Sequence, residues 1–349
     1  MNIQTLIAGL TEPDEYDRLI AVEDLGLTNS AAAIEPLLGR LVAEPSRKVR
    51  EAIFLALERI EDPGVLDRVT ALFTSDDAFL RNQAVGLLQR KGAAAAPVLL
   101  ARMQDADPDV RKFVLDAAAG MTTPDVEPIY DAAVRDEDIN VRIAALEYLG
   151  EQRKVRFKPA VEAIFRTATE PMLVCAAFAT LLEIGDVTSW PLIRERYPTA
   201  AAVPNWELGW WIRALGDFGE AGELEVFHAI LRDHDGRVAA DTIDALEHFQ
   251  SRHGRVGISD GFWELLRGMI TTALVPEVRL QLLRVLGGFG SPAAIGEYLV
   301  GLLEQSDRLT RLGAIEGIKR LGRPDLMARL RVRCDGEADP EIAEAIAGC

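Results

Sequence analysis

The sequence predicts an all-α protein, a right-handed α-solenoid of about ten helix pairs. The first observation is a ten-residue pattern that recurs along the 349-residue chain, in which an Arg is followed by apolar or small residues three, four and seven positions later. Those offsets share one face of a helix. The second is a return of the pattern about every 31 residues, as in a repeat array. The third is that no segment has the alternating β-branched residues of a strand.

The recurring pattern defines one frame position in each repeat. Its clearest copies are KVREAIFLAL (48–57), FLRNQAVGLL (79–88), DVRKFVLDAA (109–118), NVRIAALEYL (140–149), EVRLQLLRVL (277–286) and LTRLGAIEGI (309–318). The frame passes through Arg18, Arg50, Arg81, Arg111, Arg142, Val174, Leu208, Ala239, Arg279 and Arg311. Asp and Ser residues before the frame position predict a capped helix N-terminus.

A second helix is predicted in each repeat. Proline suits the first turn of a helix, where its missing N–H costs nothing. It stands 16 to 18 residues after the frame position in five repeats, at Pro36, Pro97, Pro128, Pro159 and Pro191. A single helix pair cannot bury its own apolar face, so we expect the pairs to stack and share one continuous core.

The repeat D-x-x-V-R-x-x-A-x-x-x-L resembles the short bacterial HEAT repeats that also occur in phycobilin lyases. The resemblance covers the chain from about residue 5 to the C-terminus. It implies that the helices carrying the frame positions line the concave side of the array. It indicates the fold more strongly than the function, because HEAT arrays serve many unrelated tasks.

One solenoid over residues 1–349 is expected, with three parts. Regular repeats and a divergent sixth repeat occupy about 1–203. An aromatic repeat and a repeat with a long insert follow over 204–262. The C-terminal repeats and a cap complete the chain over 263–349.

Composition restricts the class of partner. A formal net charge of −17 argues against a broad phosphate-binding surface, so we expect no nucleic-acid partner. The chain has no apolar run of the roughly 18 residues that a membrane span needs, and no secretory signal at its start. Three dispersed cysteines are consistent with a reduced, cytoplasmic protein.

The recurring arginines are predicted to be structural, since a residue present in most repeats is usually part of the repeat itself. We expect each to pair with a carboxylate of its own or the adjacent repeat. This ladder comprises Arg50, Arg81, Arg111, Arg142, Arg279 and Arg311. Val174, Leu208 and Ala239 interrupt it in three consecutive repeats.

Five positions after each frame residue lies the predicted centre of the solvent face of that helix. The row reads Glu23, Leu55, Gly86, Asp116, Glu147, Ala179, Arg213, Asp244, Arg284 and Glu316. We expect Asp116, Glu147, Asp244 and Arg284 to select a partner by charge, either a helix or a basic segment lying in the groove. A solvated helix face is the alternative interpretation.

The stretch NWELGWWIR (205–213) places three tryptophans in nine residues. Trp211 has offset three from the frame and is predicted to be core. Trp210 is predicted on the groove side, with Trp206 stacked beside it and Arg213 against its ring. Trp206, Trp210 and Arg213 are the predicted anchor for a partner. The alternative is that bulky side chains fill a wide junction between repeats.

The predicted function is a non-catalytic scaffold or adaptor that binds a protein partner in its concave groove without a cofactor. The main alternative is a phycobilin lyase-like protein or tetrapyrrole-handling chaperone, with Asp or Glu holding the pyrrole nitrogens. A HEAT-type metal-dependent hydroxylase is less expected, because such proteins carry His-Glu pairs and this chain has no His-Glu dipeptide. The spacing of the four histidines, His228, His234, His248 and His253, predicts no metal site.

Three loops carry further expectations. Arg252-His253-Gly254-Arg255 is predicted to be an exposed basic loop, and QRKVRFK (152–158) a second basic turn. Gly287-Gly288-Phe289-Gly290 is predicted to stop a helix through the positive φ that glycine accepts.

Overall fold

The computed structural model describes residues 2–233, 238–272, 275–290, 292–304, 307–334 and 339–347, without the side chains of 292, 293, 333 and 334. Its contacts group the chain into two compact units. The first comprises Met1–Arg153 and Thr169–Ala177, and the second Lys154–Ala168 and Phe178–Cys349. Within the described ranges the regular structure is helical, and the β-type pairing is limited to one isolated bridge between Val256 and Phe289. The predicted all-α solenoid is confirmed.

The helices are numbered in chain order, beginning with α1 (Ile3–Gly9). The helices that carry the frame positions, here called frame helices, are α2 (Glu15–Leu27), α4 (Arg47–Arg59), α6 (Ala78–Lys91), α8 (Pro108–Ala119), α10 (Ile139–Glu151), α12 (Pro171–Ile184), α14 (Leu208–Phe218), α16 (Ala239–His253), α18 (Pro276–Leu286) and α20 (Arg308–Leu321). The second helices of the pairs are α3 (Ile34–Ala43), α5 (Gly64–Thr70), α7 (Ala96–Arg102), α9 (Glu127–Ala133), α11 (Lys158–Thr167), α13 (Trp190–Arg196), α15 (Leu224–Asp233), α17 (Asp260–Thr272), α19 (Pro292–Leu302) and α21 (Pro324–Cys334). The helix α22 (Pro340–Ala347) follows.

The helix ends follow the signals in the sequence. The side chain of an aspartate accepts a backbone N–H at the start of α2, α6, α8, α10 and α20, which satisfies donors that a helix leaves free at its first turn. Proline occupies the first turn of α7, α9, α11 and α13. Where they occur, both signals therefore mark helix starts as predicted, although Pro36 is the third residue of α3. None of the helices in the described ranges combines the length and apolarity that crossing a membrane requires.

Each frame helix packs against the next one from α2 to α10 in the first unit and from α14 to α20 in the second, and their apolar offsets form the core. Residues three, four and seven positions after the frame are buried except for the half-buried Val85, as shown by Ile53, Phe54 and Leu57 in α4 and by Trp211, Ile212 and Leu215 in α14. The three residues that interrupt the arginine ladder, Val174, Leu208 and Ala239, are themselves buried. The row at offset five is exposed or half-buried throughout.

Most frame arginines hold the turn that precedes the next frame helix. Arg18 donates hydrogen bonds to both carboxylate oxygens of Glu44, at 3.0 and 2.9 Å. The same relationship joins Arg50 to Asp77, Arg111 to Asp136 and Arg279 to Asp307. Arg81 instead donates to the carbonyl of Ser75 and lies over the ring of Phe113. Arg142 and Arg311 are half-buried on α10 and α20.

The glycine-rich run ends α18, but for a different reason from the one expected. Gly287, Gly288 and Gly290 do not have positive φ angles, and Gly287 caps the helix at φ −66°. A Cβ at Gly287 would lie 2.1 Å from the carbonyl oxygen of Gly317 in α20. Close approach of two helix backbones therefore requires this glycine, and the positive-φ explanation was wrong.

Candidate functional site

The tryptophans around α14 divide between the core and the surface. Trp211 and Trp190 are buried against each other, with ring centroids 5.5 Å apart. Both indole N–H groups are satisfied, since Trp211 donates to the carbonyl of Tyr197 at 3.2 Å and Trp190 to Glu223 at 2.5 Å. Buried indoles usually need such partners. The core position of Trp211 agrees with its offset.

The segment before α14 is held by a buried polar pair. The hydroxyl of Tyr197 donates to the carboxylate of Glu207 at 2.6 Å, and both residues are buried. Burial, together with this hydrogen bond to Glu207, raises the pKa of Tyr197 to about 12. Glu207 also closes a turn through its N–H to the carbonyl of Pro204. The turn delays the start of α14 until Leu208.

That late start separates Trp206 from Trp210. The side chain of Trp206 lies on the turn and is 68% exposed. Among the described residues its ring contacts no other aromatic ring, so the predicted stack on Trp210 was wrong. The stack required a helix that already included residue 206, whereas the turn from Pro204 to Glu207 precludes it.

Arg213 does not lie against Trp210 either. Its guanidinium pairs with Glu183 at 3.0 Å and with Asp217 at 3.3 Å. Two carboxylates within reach attract a guanidinium more strongly than a partly solvated ring does. The ring of Trp210 instead makes an edge-to-face contact with Phe178, with centroids 6.1 Å apart and planes at 77°.

A pocket of about 340 Å³ opens between α14 and α16. It brings together three of the predicted site residues, Trp210, Arg213 and Asp244. The residues that complete its lining are Gly209, Asp241, Ala245 and His248. The pocket therefore combines a half-exposed aromatic face with carboxylates and one imidazole.

The basic side chains at this pocket are already engaged. His248 Nδ1 lies 2.8 Å from the carboxylate of Asp217, the residue that also holds Arg213. Asp244 accepts a hydrogen bond from the neutral amide of Gln281 at 3.1 Å. Asp241 makes no hydrogen bond or ion pair with any described residue. Two carboxylates of the pocket thus lack a cationic partner within the described chain.

Sequence reasoning missed Asp241 and His248, although the register could have found them. Trp210 and Asp241 both stand two positions after their frame residues, Leu208 and Ala239. Asp217 and His248 both stand nine positions after. Offsets two, five and nine lie on one helix face. Following that face through both repeats identifies every charged residue of the pocket.

The other predicted residues lie elsewhere. Arg284 of α18 pairs with Glu247 of α16, which also contacts Arg320 at 3.4 Å. In the first unit Asp116 accepts a hydrogen bond from the hydroxyl of Tyr148 at 2.6 Å. Burial raises the pKa of Tyr148, and the hydrogen bond to Asp116 raises it further. Glu147 is exposed on α10.

The stretch at 252–255 is largely exposed, as predicted, but its first two residues belong to α16 and its basic side chains bind carbonyls at other helix ends. Arg252 donates to the carbonyls of Gly216 and Gly219, at 3.2 and 3.1 Å, and burial lowers its pKa. His253 Nε2 lies 2.9 Å from the carbonyl of Gly219. Arg255 donates to the carbonyl of Arg320 at 3.1 Å. Free carbonyls at helix C-termini are common partners of basic side chains.

In the second basic stretch, Lys158 forms an ion pair with Asp186 at 2.7 Å, and this hydrogen bond is the main reason that the pKa of Asp186 falls to about 2.

The histidines within the described residues show no arrangement typical of a metal site. His228 stacks on Phe262 with ring centroids 5.1 Å apart. His234 lies outside the described residues. In the part of the chain that the structure describes, no group of three His, Cys, Asp or Glu residues is arranged to hold a metal ion.

Comparisons with solved structures show the fold. Yeast importin-beta is 13% identical, with a TM-score of 0.55 over 99% of this chain, and the chain spans 55% of that protein. A homology model of the full-length AP-3 complex gives 13% identity and a TM-score of 0.54, over 95% of this chain and 71% of that one.

The CpcE–CpcF complex of the phycocyanin lyase from Nostoc is 17% identical over 77% of this chain and 94% of that chain. Its TM-score of 0.27 supports no statement about function. No curated protein sequence matches the chain. The family model described as HEAT repeats matches residues 3–89 and 96–181. Together with the helix pairs described above, this match shows that the chain belongs to the HEAT-repeat family.

Proposed function

We propose that this protein is a non-catalytic scaffold that binds a protein partner on the exposed face of its frame helices, with the main anchor on α14 and the turn before it. One observation carries the proposal. Trp206 is 68% exposed, four residues from the half-exposed Trp210 at the mouth of a pocket. A large ring left in water is a feature of binding surfaces, and tryptophan is enriched among residues that dominate binding energy.

A binding role for Trp206 is supported by the fact that other aromatic residues fill the junction between the repeats. Trp190, Trp211 and Tyr197 are buried and fill the space between α13 and α14. Trp206 adds nothing to that packing, since most of its side chain contacts solvent. Its removal therefore should not disturb the fold, which makes it a suitable position for a binding test.

The test begins with a photo-crosslinking amino acid at position 205, which is exposed beside Trp206 and leaves that side chain intact, introduced in the native host to capture the protein that contacts this surface. The captured protein is then purified and titrated against wild type and the Trp206→Ala/Trp210→Ala variant. We expect at least a roughly 30-fold loss of affinity, the effect of about 2 kcal/mol at a dominant contact residue.

A matched control is Val42→Ala/Val332→Ala, which removes exposed apolar side chains from α3 and α21. It should bind like wild type. Equal affinity of the tryptophan variant and wild type would remove the anchor from the proposal. Melting curves of all three proteins establish that binding is compared between folded chains.

A tetrapyrrole-handling protein is the second candidate, and one observation favours it. The pocket places the ring of Trp210 among Asp241 and Asp244, carboxylates able to accept hydrogen bonds from pyrrole N–H groups. Incubation with a free bilin and gel filtration tests this candidate. Visible absorption that travels with wild type and is lost in Asp241→Asn/Asp244→Asn would support it, and absence of bound pigment would exclude it.

A further inference from the structure

We propose that the pocket between α14 and α16 receives the guanidinium of an arginine side chain presented by the partner. This inference rests on the proposed scaffold function and adds the chemistry of the group that is recognised. It assigns a role to Asp241, which the sequence pattern did not single out. The occupant is a single arginine in an exposed segment of the partner, and the pocket walls determine that choice.

The excess negative charge around the pocket favours a cationic ligand. The ionisable groups that line the pocket or pair directly with its lining include four carboxylates, Glu183, Asp217, Asp241 and Asp244. Against them stand one guanidinium, Arg213, and one imidazole, His248. Among the described residues, and even with His248 protonated, four negative charges face two positive ones. A concave surface with this excess attracts a cation and repels an anionic ligand.

The excess negative charge lies on one face of α16. Glu183 and Asp217 both pair with Arg213, and Asp217 also contacts the imidazole of His248, so these two carboxylates are already engaged. The uncompensated charge belongs to Asp241 and Asp244, which are exposed on successive turns of α16. Residues three apart face the same side of a helix, so both carboxylates can approach one ligand.

The ring of Trp210 forms an aromatic wall of the pocket, which suits a planar cation. The ring of Trp210 is fixed at one edge by Phe178 and is half-exposed at the pocket. A guanidinium is planar and weakly hydrated, so it can stack on an indole while its N–H groups reach a carboxylate. An ammonium is a compact and strongly hydrated charge that cannot stack in this way. The wall therefore favours arginine over lysine.

Gly209 keeps the space between these walls open. A Cβ at this position would lie 3.4 Å from Oδ2 of Asp241, so any side chain there would narrow the route between Trp210 and the carboxylate. The open volume of about 340 Å³ accommodates one long side chain. It is too small for a folded element, which fits a side chain inserted from a partner surface.

The experiment measures binding of three model peptides, Ac-Gly-Gly-X-Gly-Gly-NH2, in which X is arginine, lysine or citrulline. Citrulline has the shape of arginine without its charge. The readout is the indole N–H resonance of Trp210 in a two-dimensional NMR spectrum, assigned by its loss in Trp210→Phe. The arginine peptide should shift this resonance saturably, the lysine peptide at about tenfold higher concentration or more, and citrulline should leave it unchanged.

Asp241→Asn/Asp244→Asn should weaken the arginine peptide at least about tenfold. Asp241 also lies in the first turn of α16, where a carboxylate stabilises the helix dipole. Asp109→Asn therefore serves as the matched control, because it removes a first-turn carboxylate from α8 in the other unit. This control should bind the arginine peptide like wild type.

Two results would overturn the arginine pocket: no shift of the Trp210 resonance with the arginine peptide, or an equal response to arginine and citrulline. Unchanged affinity in the double aspartate variant would do the same. Failure of the scaffold function is detected separately, by the partner captured at position 205. A partner that depends on Trp206 but binds the aspartate variant normally would leave the scaffold in place and remove only the arginine pocket.

Discussion

Arg111 of α8 donates hydrogen bonds to both carboxylate oxygens of Asp136, at 2.8 and 2.7 Å, and both side chains are buried. The same guanidinium donates to the carbonyl of Asp105 at 2.8 Å. Asp136 in turn accepts the N–H of Asp138, the residue that caps α10. One arginine therefore links the turn before its own helix to the turn before the next frame helix.

Arg111→Ala should destabilise the first unit by about 3–5 kcal/mol, because it leaves the Asp136 carboxylate buried without its partner. Urea unfolding followed by circular dichroism measures the change. Arg47→Ala is the control, since Arg47 and Glu51 form an exposed i,i+4 pair at 2.9 Å. That substitution should cost no more than about 0.5 kcal/mol. Equal losses in the two variants would show that the frame arginines do not act as structural clamps.

Glu44 should make the stability of the first unit depend on pH. Burial alone raises the pKa of this carboxyl, but hydrogen bonds from Arg18, Arg40 and the Ser46 N–H outweigh it and lower the pKa to about 2. A depressed pKa in the folded state contributes stability above the unfolded pKa near 4.3, and that contribution is lost as pH falls towards 2.

The free energy of unfolding should therefore differ most between wild type and Glu44→Gln above about pH 5, by roughly 3 kcal/mol at most. The difference should shrink as pH falls from about 4.5 towards 2. Urea titrations at pH 7, 4 and 3 provide the measurement. A difference that is constant over this range would contradict the depressed pKa of Glu44.

The three tryptophans of the stretch at 205–213 should differ in their contribution to stability. Trp211 is fully buried and hydrogen-bonded, so Trp211→Ala should cost about 3–5 kcal/mol. Trp210→Ala loses an edge-to-face contact with Phe178 and should cost about 1 kcal/mol. Trp206→Ala should leave the melting temperature nearly unchanged. If Trp210→Ala were more damaging than Trp211→Ala, the repeat frame would be wrong in this region.

Gly287→Ala should destabilise the second unit by about 1–3 kcal/mol, because the added methyl would overlap the backbone of Gly317. Gly268→Ala is the matched control. It lies within α17, where an added Cβ meets nothing within 4 Å, so the better helix propensity of alanine should raise stability by up to about 1 kcal/mol. Thermal melts of both variants test the opposite signs. A neutral Gly287→Ala would mean that the backbones of α18 and α20 do not approach as closely as described.

The sequence by itself determined the repeat architecture. Apolar offsets of three, four and seven placed Ile53, Phe54 and Trp211 in the core, and aspartates such as Asp138 marked the helix starts. These signals are readable because they are local: apolar periodicity, N-terminal capping and proline in the first turn all act within one or two turns of helix.

Only the tertiary structure decided which polar groups meet. Whether Arg213 contacts Trp210 or Glu183 depends on the adjacent helix, and the sequence frame contained no such distance. The turn that exposes Trp206 depends on the buried contact of Tyr197 with Glu207. The pocket exists because α14 and α16 bring Trp210 and Asp241 together from different repeats. Such contacts depend on packing between repeats, which a pattern read within one repeat does not specify.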